Sequence, residues 1–328
     1  MTLLLTGGAG YIGNHMAWLC HDQNIPCVVL DDLSTGFRDQ LPPDTPLVVG
    51  DMADEALLQS VFRVYSVTAV IHFAAKIVVP ESVAHPLGYY LNNTAKSCLL
   101  IDAAIKHDIK KFVFSSTAAV YGNAHDGLLK EEFNKIPTSP YGHSKLMIEQ
   151  ILSDAHHAHG LNYVVLRYFN VAGADPKGRT GQSNPHATHL IKLANLVALG
   201  KLPELLIFGD DYPTPDGTGI RDYIHVTDLV SAHACALNYL QQGGAPLVAN
   251  CGYGQGFSVR EVIAAVKQVS GIDFKVRVTS RREGDSASLV ADATIARQVL
   301  SWTPHLNDLT TIVRHALDWE KKRNATLQ

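Results

Sequence analysis

Tyr141 and Lys145 stand four residues apart in the stretch Tyr141-Gly142-His143-Ser144-Lys145, so a helix there projects both from one face. A phenol is a poor base at neutral pH, and an ammonium beside it favours the phenolate, lowering such a pKa by about 1 to 3 units. Upstream, Ser115-Ser116-Thr117 closes an apolar run, and a hydroxyl at a strand terminus can hold a substrate oxygen beside the phenol. Tyr141, Lys145 and Thr117 are therefore the expected catalytic set, with Tyr141 exchanging a proton. Tyr-x-x-x-Lys also arises by chance with a solvated lysine, and the strand-end hydroxyls weigh against that reading.

Such chemistry needs an electron acceptor, and the N-terminus offers a place for one. Gly7-Gly8-Ala9-Gly10-Tyr11-Ile12-Gly13 follows the apolar run Leu3-Leu4-Leu5 and leads into an amphipathic stretch. Gly7, Gly10 and Gly13 let backbone N–H groups of the loop, Tyr11 and Ile12 approach a pyrophosphate at a helix N-terminus. Asp31 ends the next apolar run, where a carboxylate accepts from ribose hydroxyls and repels a 2′-phosphate, so the expected cofactor is NAD rather than NADP. Asp32 reads equally as a ribose contact or a turn residue. Asp51 and Met52, and then Phe73, Ala74 and Ala75, close two further runs, and strand carboxyl ends are where open α/β sheets bind ligands.

The elements that position these residues alternate short β-branched runs with longer amphipathic stretches, the pattern of βαβ units and a parallel sheet. Strands are predicted at 3–6, 27–30, 47–49, 69–73, 111–115 and 163–167, continuously apolar because both faces are covered. Ile12, Met16 and Leu19 share one helical face, and Leu99, Ala103 and Ile105 contribute to an apolar stripe before the fifth strand. From about Asn170, loops such as Gly209-Asp210-Asp211-Tyr212-Pro213 interrupt shorter elements. The expected organisation is an α/β Rossmann domain over 1–170 and a smaller, discontinuous second domain over 171–328. A helix starting near His225 and a strand at 247–250 return to the first domain, so the returning segments fall near 225–252.

The 328 residues carry a formal charge of -4, which gives no general electrostatic reason to bind nucleic acid or an anionic membrane. No apolar run approaches bilayer length and no basic leader precedes the first strand, so a cytoplasmic location is expected. Cys20, Cys27, Cys98, Cys235 and Cys251 are scattered in apolar surroundings and read as reduced core thiols. His156, His157 and His159 lack a carboxylate or cysteine to complete a metal set, so no metal is expected.

At this point the chain resembles the extended short-chain dehydrogenase/reductase superfamily and, within it, the UDP-glucose 4-epimerases. The shared stretches are TGGAGYIG at 6–13, SSTAAVYG at 115–122, YGHSK at 141–145, LRYFNVAGA at 166–174, DGTGIRDYIHV at 216–226 and RREGD at 281–285. By position the resemblance implies that Thr117 hydrogen-bonds the sugar 4-OH, Tyr141 removes its proton, and Lys145 binds the nicotinamide ribose. Asn93, Ser115, Phe169 and the run Phe73, Ala74, Ala75, Lys76 line the cofactor, although the lysine stands one place earlier than in the FAGLK stretch of some members. Asn170, Arg221 and Arg282 meet the UDP phosphates, Phe208 the uracil and Asp285 the uridine ribose. Two arginines on a pyrophosphate are the expected charge chemistry. His189 and Leu190 stand where many members carry Asn-Leu beside the substrate. Leu289 falls where some carry a Tyr against the sugar, and reads equally as a gate or as core packing.

The activity so implied oxidises a UDP-sugar at C4, turns the 4-keto sugar over and reduces it on the opposite face, with NAD restored each cycle. The same resemblance implies a homodimer through helices around 92–107 and 141–159. A nucleotide-sugar dehydratase would need a carboxylate pair after Thr117, where this chain has Ala118-Ala119. A reductase would prefer NADPH, which Asp31 disfavours, and a non-catalytic NAD sensor has no use for Tyr141, Lys145 and Thr117 together. UDP-N-acetylglucosamine or a UDP-pentose remains an alternative substrate.

Overall fold

In the computed structural model, which describes residues 1–123, 127–282 and 285–326, the apolar runs assemble into one parallel sheet of seven strands. These are β1 (Thr2–Thr6), β2 (Cys27–Asp31), β3 (Leu47–Val49), β4 (Val67–His72), β5 (Lys111–Thr117), β6 (Asn162–Tyr168) and β10 (Leu247–Cys251), in the order β10-β6-β5-β4-β1-β2-β3. The predicted strands are all present within a residue or two of their expected bounds, and the fourth runs over Val67–His72 rather than 69–73. Alternate side chains serve opposite faces, which is why the runs need no polar positions. Leu3 and Leu5 join a core with α1 (Tyr11–Asp22) and α8 (Val226–Gln241), whereas Leu4 joins a second core with α2 (Glu55–Val64), α5 (Lys96–Lys106) and α6 (Pro140–His159).

The later half supplies short strands: β7 (Asn170–Ala172), β8 (Leu205–Phe208), β9 (Ile220–His225), β11 (Gly256–Ser258), β12 (Val276–Thr279) and β13 (Ser288–Leu289). β9 pairs with β7, β11 and β13, while β8 pairs with β12. α7 (Leu190–Ala198) packs on α9 (Val259–Ser270) and α11 (Leu309–Thr326), and α3 (Val79–Ala84), α4 (Pro86–Tyr89) and α10 (Thr294–Gln298) complete the set. As expected, a helix begins just after His225, and β10 returns to the large sheet beside β6.

Two expectations are corrected. The buried face of α5 is formed by Leu100, Ile101, Ala103 and Ala104, while Leu99 is exposed, because three neighbours at 99, 100 and 101 point in different directions around the helix and only two of them face the core. Cys98 is exposed and is not a core thiol. Among the described residues no helix is long and apolar enough to cross a membrane.

One buried ion pair fastens β6 and the end of β5 to α6. Arg167 donates to both carboxylate oxygens of Glu149, which also accepts from Ser116 Oγ at 2.5 Å, and Arg167 donates to the Tyr121 hydroxyl at 3.0 Å. Both charges are almost fully buried. Glu149→Gln leaves the Arg167 charge without its counter-ion, and the expected loss is about 3–5 kcal/mol of unfolding free energy by denaturant titration. A loss below about 1 kcal/mol would mean that water reaches the pair.

Candidate active site

β5 ends at Thr117 and turns at once into a short 3-10 helix over Ala118–Val120, whose Ala119 amide is capped by the Thr117 hydroxyl. α6 starts opposite it, with Ser139 as N-cap and Pro140 in the first turn. Gly142 permits the close approach: a Cβ there would lie 2.7 Å from the Ala119 carbonyl oxygen. Tyr141 is thereby brought to Thr117, whose hydroxyl acts on the phenol. Lys145, one turn along, donates to the Ser115 carbonyl at 2.9 Å and lies 4.7 Å from the centre of the Phe114 ring. The three expected catalytic side chains are buried together.

Burial sets their electrostatics. The Tyr141 phenol is pushed up to about 12, with the Thr117 hydroxyl opposing the shift, and the Lys145 amine is pushed down to about 7 against the pull of the Glu149 charge. The lowered phenol pKa expected from the sequence is not what burial in the protein alone imposes, because desolvation dominates and only the Thr117 hydroxyl opposes it.

The glycine loop fits a dinucleotide. Gly7 has a φ of 69°, and a Cβ on it would meet the Ala74 amide nitrogen at 2.5 Å. Among the described residues no side chain caps the N-terminus of α1 and no carboxylate stands in its first turn, which leaves the amides near Tyr11, Ile12 and Gly13 suited to a phosphate. Asp31, at the end of β2, accepts from the Ala9 amide at 2.9 Å and the Leu33 amide at 2.8 Å, so it also ties down the loop. Asp32 makes the turn, accepting from the Ser34 amide and hydroxyl. Asp51 pairs with Lys96 at 2.5 Å, and Met52 is buried beside it. Phe73 and Ala74 both donate to the Thr6 carbonyl, which draws β4 against the loop, and Ala75 follows.

Several expected residues do other work. The Asn93 side chain is fully buried and clamps the Lys76 backbone from both sides while donating to Ser144 Oγ. The Lys76 side chain points outward to Glu81 at 3.6 Å. Ser115 Oγ meets His233 Nε2 at 2.7 Å. Because the other nitrogen of that ring faces the Leu229 carbonyl, it carries the proton and Ser115 is the donor. Sequence reasoning missed His233, Glu149 and Arg167, since a lone polar residue in an apolar stretch does not name its partner.

The expected substrate residues divide. Arg221 lies opposite Leu289 and Phe257, and Asn170 opposite Tyr223, all across β9. Leu289 packs beside the cluster of Phe169, Ala118, Val120 and Tyr121, which joins this small sheet to the catalytic turn. Arg282 stacks 3.7 Å from the centre of the Phe208 ring on an exposed rim, where Asp285 is exposed too; Glu283 and Gly284 of that stretch lie outside the described residues. His189, the N-cap of α7, lines a small cavity, and Leu190 begins the helix.

Residues 3–252 match the NAD dependent epimerase/dehydratase family. The chain is 54% identical to the UDP-glucose 4-epimerase of Azospirillum brasilense over 97% of its own length and 92% of that protein's. It superposes with a TM-score of 0.96 on a crystal structure of a UDP-glucose 4-epimerase at 44% identity, covering 99% of this chain and 98% of the other. The UDP-glucose 4-epimerase of Brucella ovis in complex with NAD gives 0.94 at 42% identity, with 97% of each chain covered. With its glycine loop, parallel sheet and buried Tyr141, Lys145 and Thr117, the chain belongs to the NAD dependent epimerase/dehydratase family.

Proposed function

We propose that this chain interconverts UDP-glucose and UDP-galactose by oxidation and re-reduction at C4 of the hexose. The observation that carries the reading is Tyr141 buried beside Thr117, one helical turn from a buried Lys145, together with a loop shaped for a dinucleotide. NAD, when bound, supplies the acceptor and donor of the C4 hydride. Thr117 holds the sugar oxygen beside Tyr141, which takes its proton and later returns it. Lys145 anchors the cofactor ribose, while Asn170, Arg221 and Arg282 hold the diphosphate and Phe208 and Asp285 the uridine. Ala118 and Ala119 follow Thr117, so the position offers no carboxylate for a dehydration.

Residues 1–170 with the returning segments near 225–252 hold the cofactor in this reading, and 171–328 mainly the sugar nucleotide. The protein works in the cytoplasm as a homodimer through α5 and α6, where Leu99 and Met147 are exposed. A single-chain mass by sedimentation would sink the dimer.

The deciding experiment offers UDP-galactose, UDP-N-acetylgalactosamine and UDP-arabinose side by side, with no NAD added. Conversion of UDP-galactose to UDP-glucose is expected, and no turnover of it would overturn the reading. The same preparation should prefer NAD to NADP, because the Asp31 carboxylate repels a 2′-phosphate. Equal affinity for the two would remove that role from Asp31. Leu289, half-buried against the catalytic turn, is the residue whose size would set acceptance of the N-acetyl sugar.

A further inference from the structure

Between the first turn of α7 and α11 lies a cavity of about 20 Å³, walled by His189, Lys192, Asn195, Trp319 and Glu320 with Gln182 beside them. Four buried polar atoms on this wall have no hydrogen-bond partner within the protein: His189 Nδ1, Trp319 Nε1, and both Nδ2 and Oδ1 of Asn195. Asn195 is fully buried and Trp319 only 7% exposed. Leaving one such group unpaired costs about 1–3 kcal/mol, so four around one space are not explained by packing.

The size and polarity of the space identify what satisfies them. Such a volume holds about one water molecule and nothing larger. Lys192 is already engaged by Glu320 and the Gln182 carbonyl, so the wall carries no uncompensated charge that would select an ion. Its groups are mixed: the indole N–H can only donate, the amide does both, and the imidazole nitrogen does either. A water matches that set, accepting from Trp319 and reaching both Asn195 and His189.

We propose that this cavity is a built site for a single water molecule, bonded by His189, Asn195 and Trp319, which ties the His189-Leu190 turn at the start of α7 to α11. Asn195 and Trp319 thereby become positioning residues for His189. The site itself stands independently of the activity; its effect on substrate rests on the reading of His189-Leu190 as a UDP-sugar contact.

The sign of two substitutions separates a wet site from a dry one. With the water in place, Asn195→Leu and Trp319→Phe each remove one of its partners, and each lowers Tm by roughly 2–4 °C. The double variant loses less than the sum, because both act through the same molecule. In a dry cavity each substitution would relieve an unpaired polar group, so a rise in Tm for either, or strict additivity, overturns the proposal. KM for UDP-galactose should rise several-fold in both variants while kcat is retained; an unchanged KM in both removes the positioning role. A high-resolution crystal structure of the unaltered protein reads the water directly, needs neither variant to fold nor any turnover, and an empty cavity there overturns the site.

Discussion

Tyr141→Phe is expected to fold, to retain its cofactor through purification and to lose turnover of UDP-galactose by about 10²- to 10⁴-fold, the usual contribution of a positioned acid/base group. The substitution removes one atom. The ring keeps its seat at 8% exposure, the Thr117 hydroxyl still caps the turn through Ala119, and Lys145 still reaches the Ser115 carbonyl. Only the oxygen that exchanges the proton is gone, so kcat should carry the loss and KM should hardly move. Turnover within tenfold of the unaltered protein would take Tyr141 out of the mechanism.

Acid is expected to weaken the fold steeply between pH 6.5 and 5. Burial holds His15 and His233 down at about 4, and His72 and His225 down at about 3, so all four are neutral in the native state. The unfolded chain binds a proton at each below about 6.5, and the native state does not until near 3 to 4. Unfolding therefore takes up protons, and stability falls as pH falls, by up to about 1.4 kcal/mol per pH unit for each histidine. Asp222 acts the other way: burial raises its carboxyl to about 6, so below that pH the native state binds a proton that the unfolded chain does not. The net uptake should thus be about two protons near pH 6.2 and about three near pH 5. Denaturant titrations across pH 7.5 to 5 give this number from the slope, and fewer than one proton would show that the histidines are charged in the native protein.

The large sheet was legible in the sequence because burial on both faces leaves strands such as Leu3-Leu4-Leu5 without polar interruption, and the glycine loop and Tyr141-Lys145 spacing carry their geometry locally. What was hidden depends on pairings between distant residues. A two-residue strand such as Ser288–Leu289 has no periodicity to detect; it exists because β9 offers it a register. Asn93 reads as a cofactor neighbour, yet its amide is consumed by the Lys76 backbone and Ser144. Spacing shows that a charge stands near Tyr141 but not how far water is excluded, and it is burial that raises the phenol pKa.

The placement of β10 has a consequence for synthesis. The chain leaves β6 at Tyr168 and does not supply the neighbour of that strand until Leu247–Cys251. On a ribosome adding roughly 5–20 residues per second, the nascent chain spends roughly 4–16 s with the apolar edge of β6 unpaired while α7, β8 and β9 are being made. An open edge of that kind is a template for other chains, so the interval before Cys251 emerges is when this protein most needs a chaperone, and a ribosome stalled within 170–246 would release a product prone to aggregate.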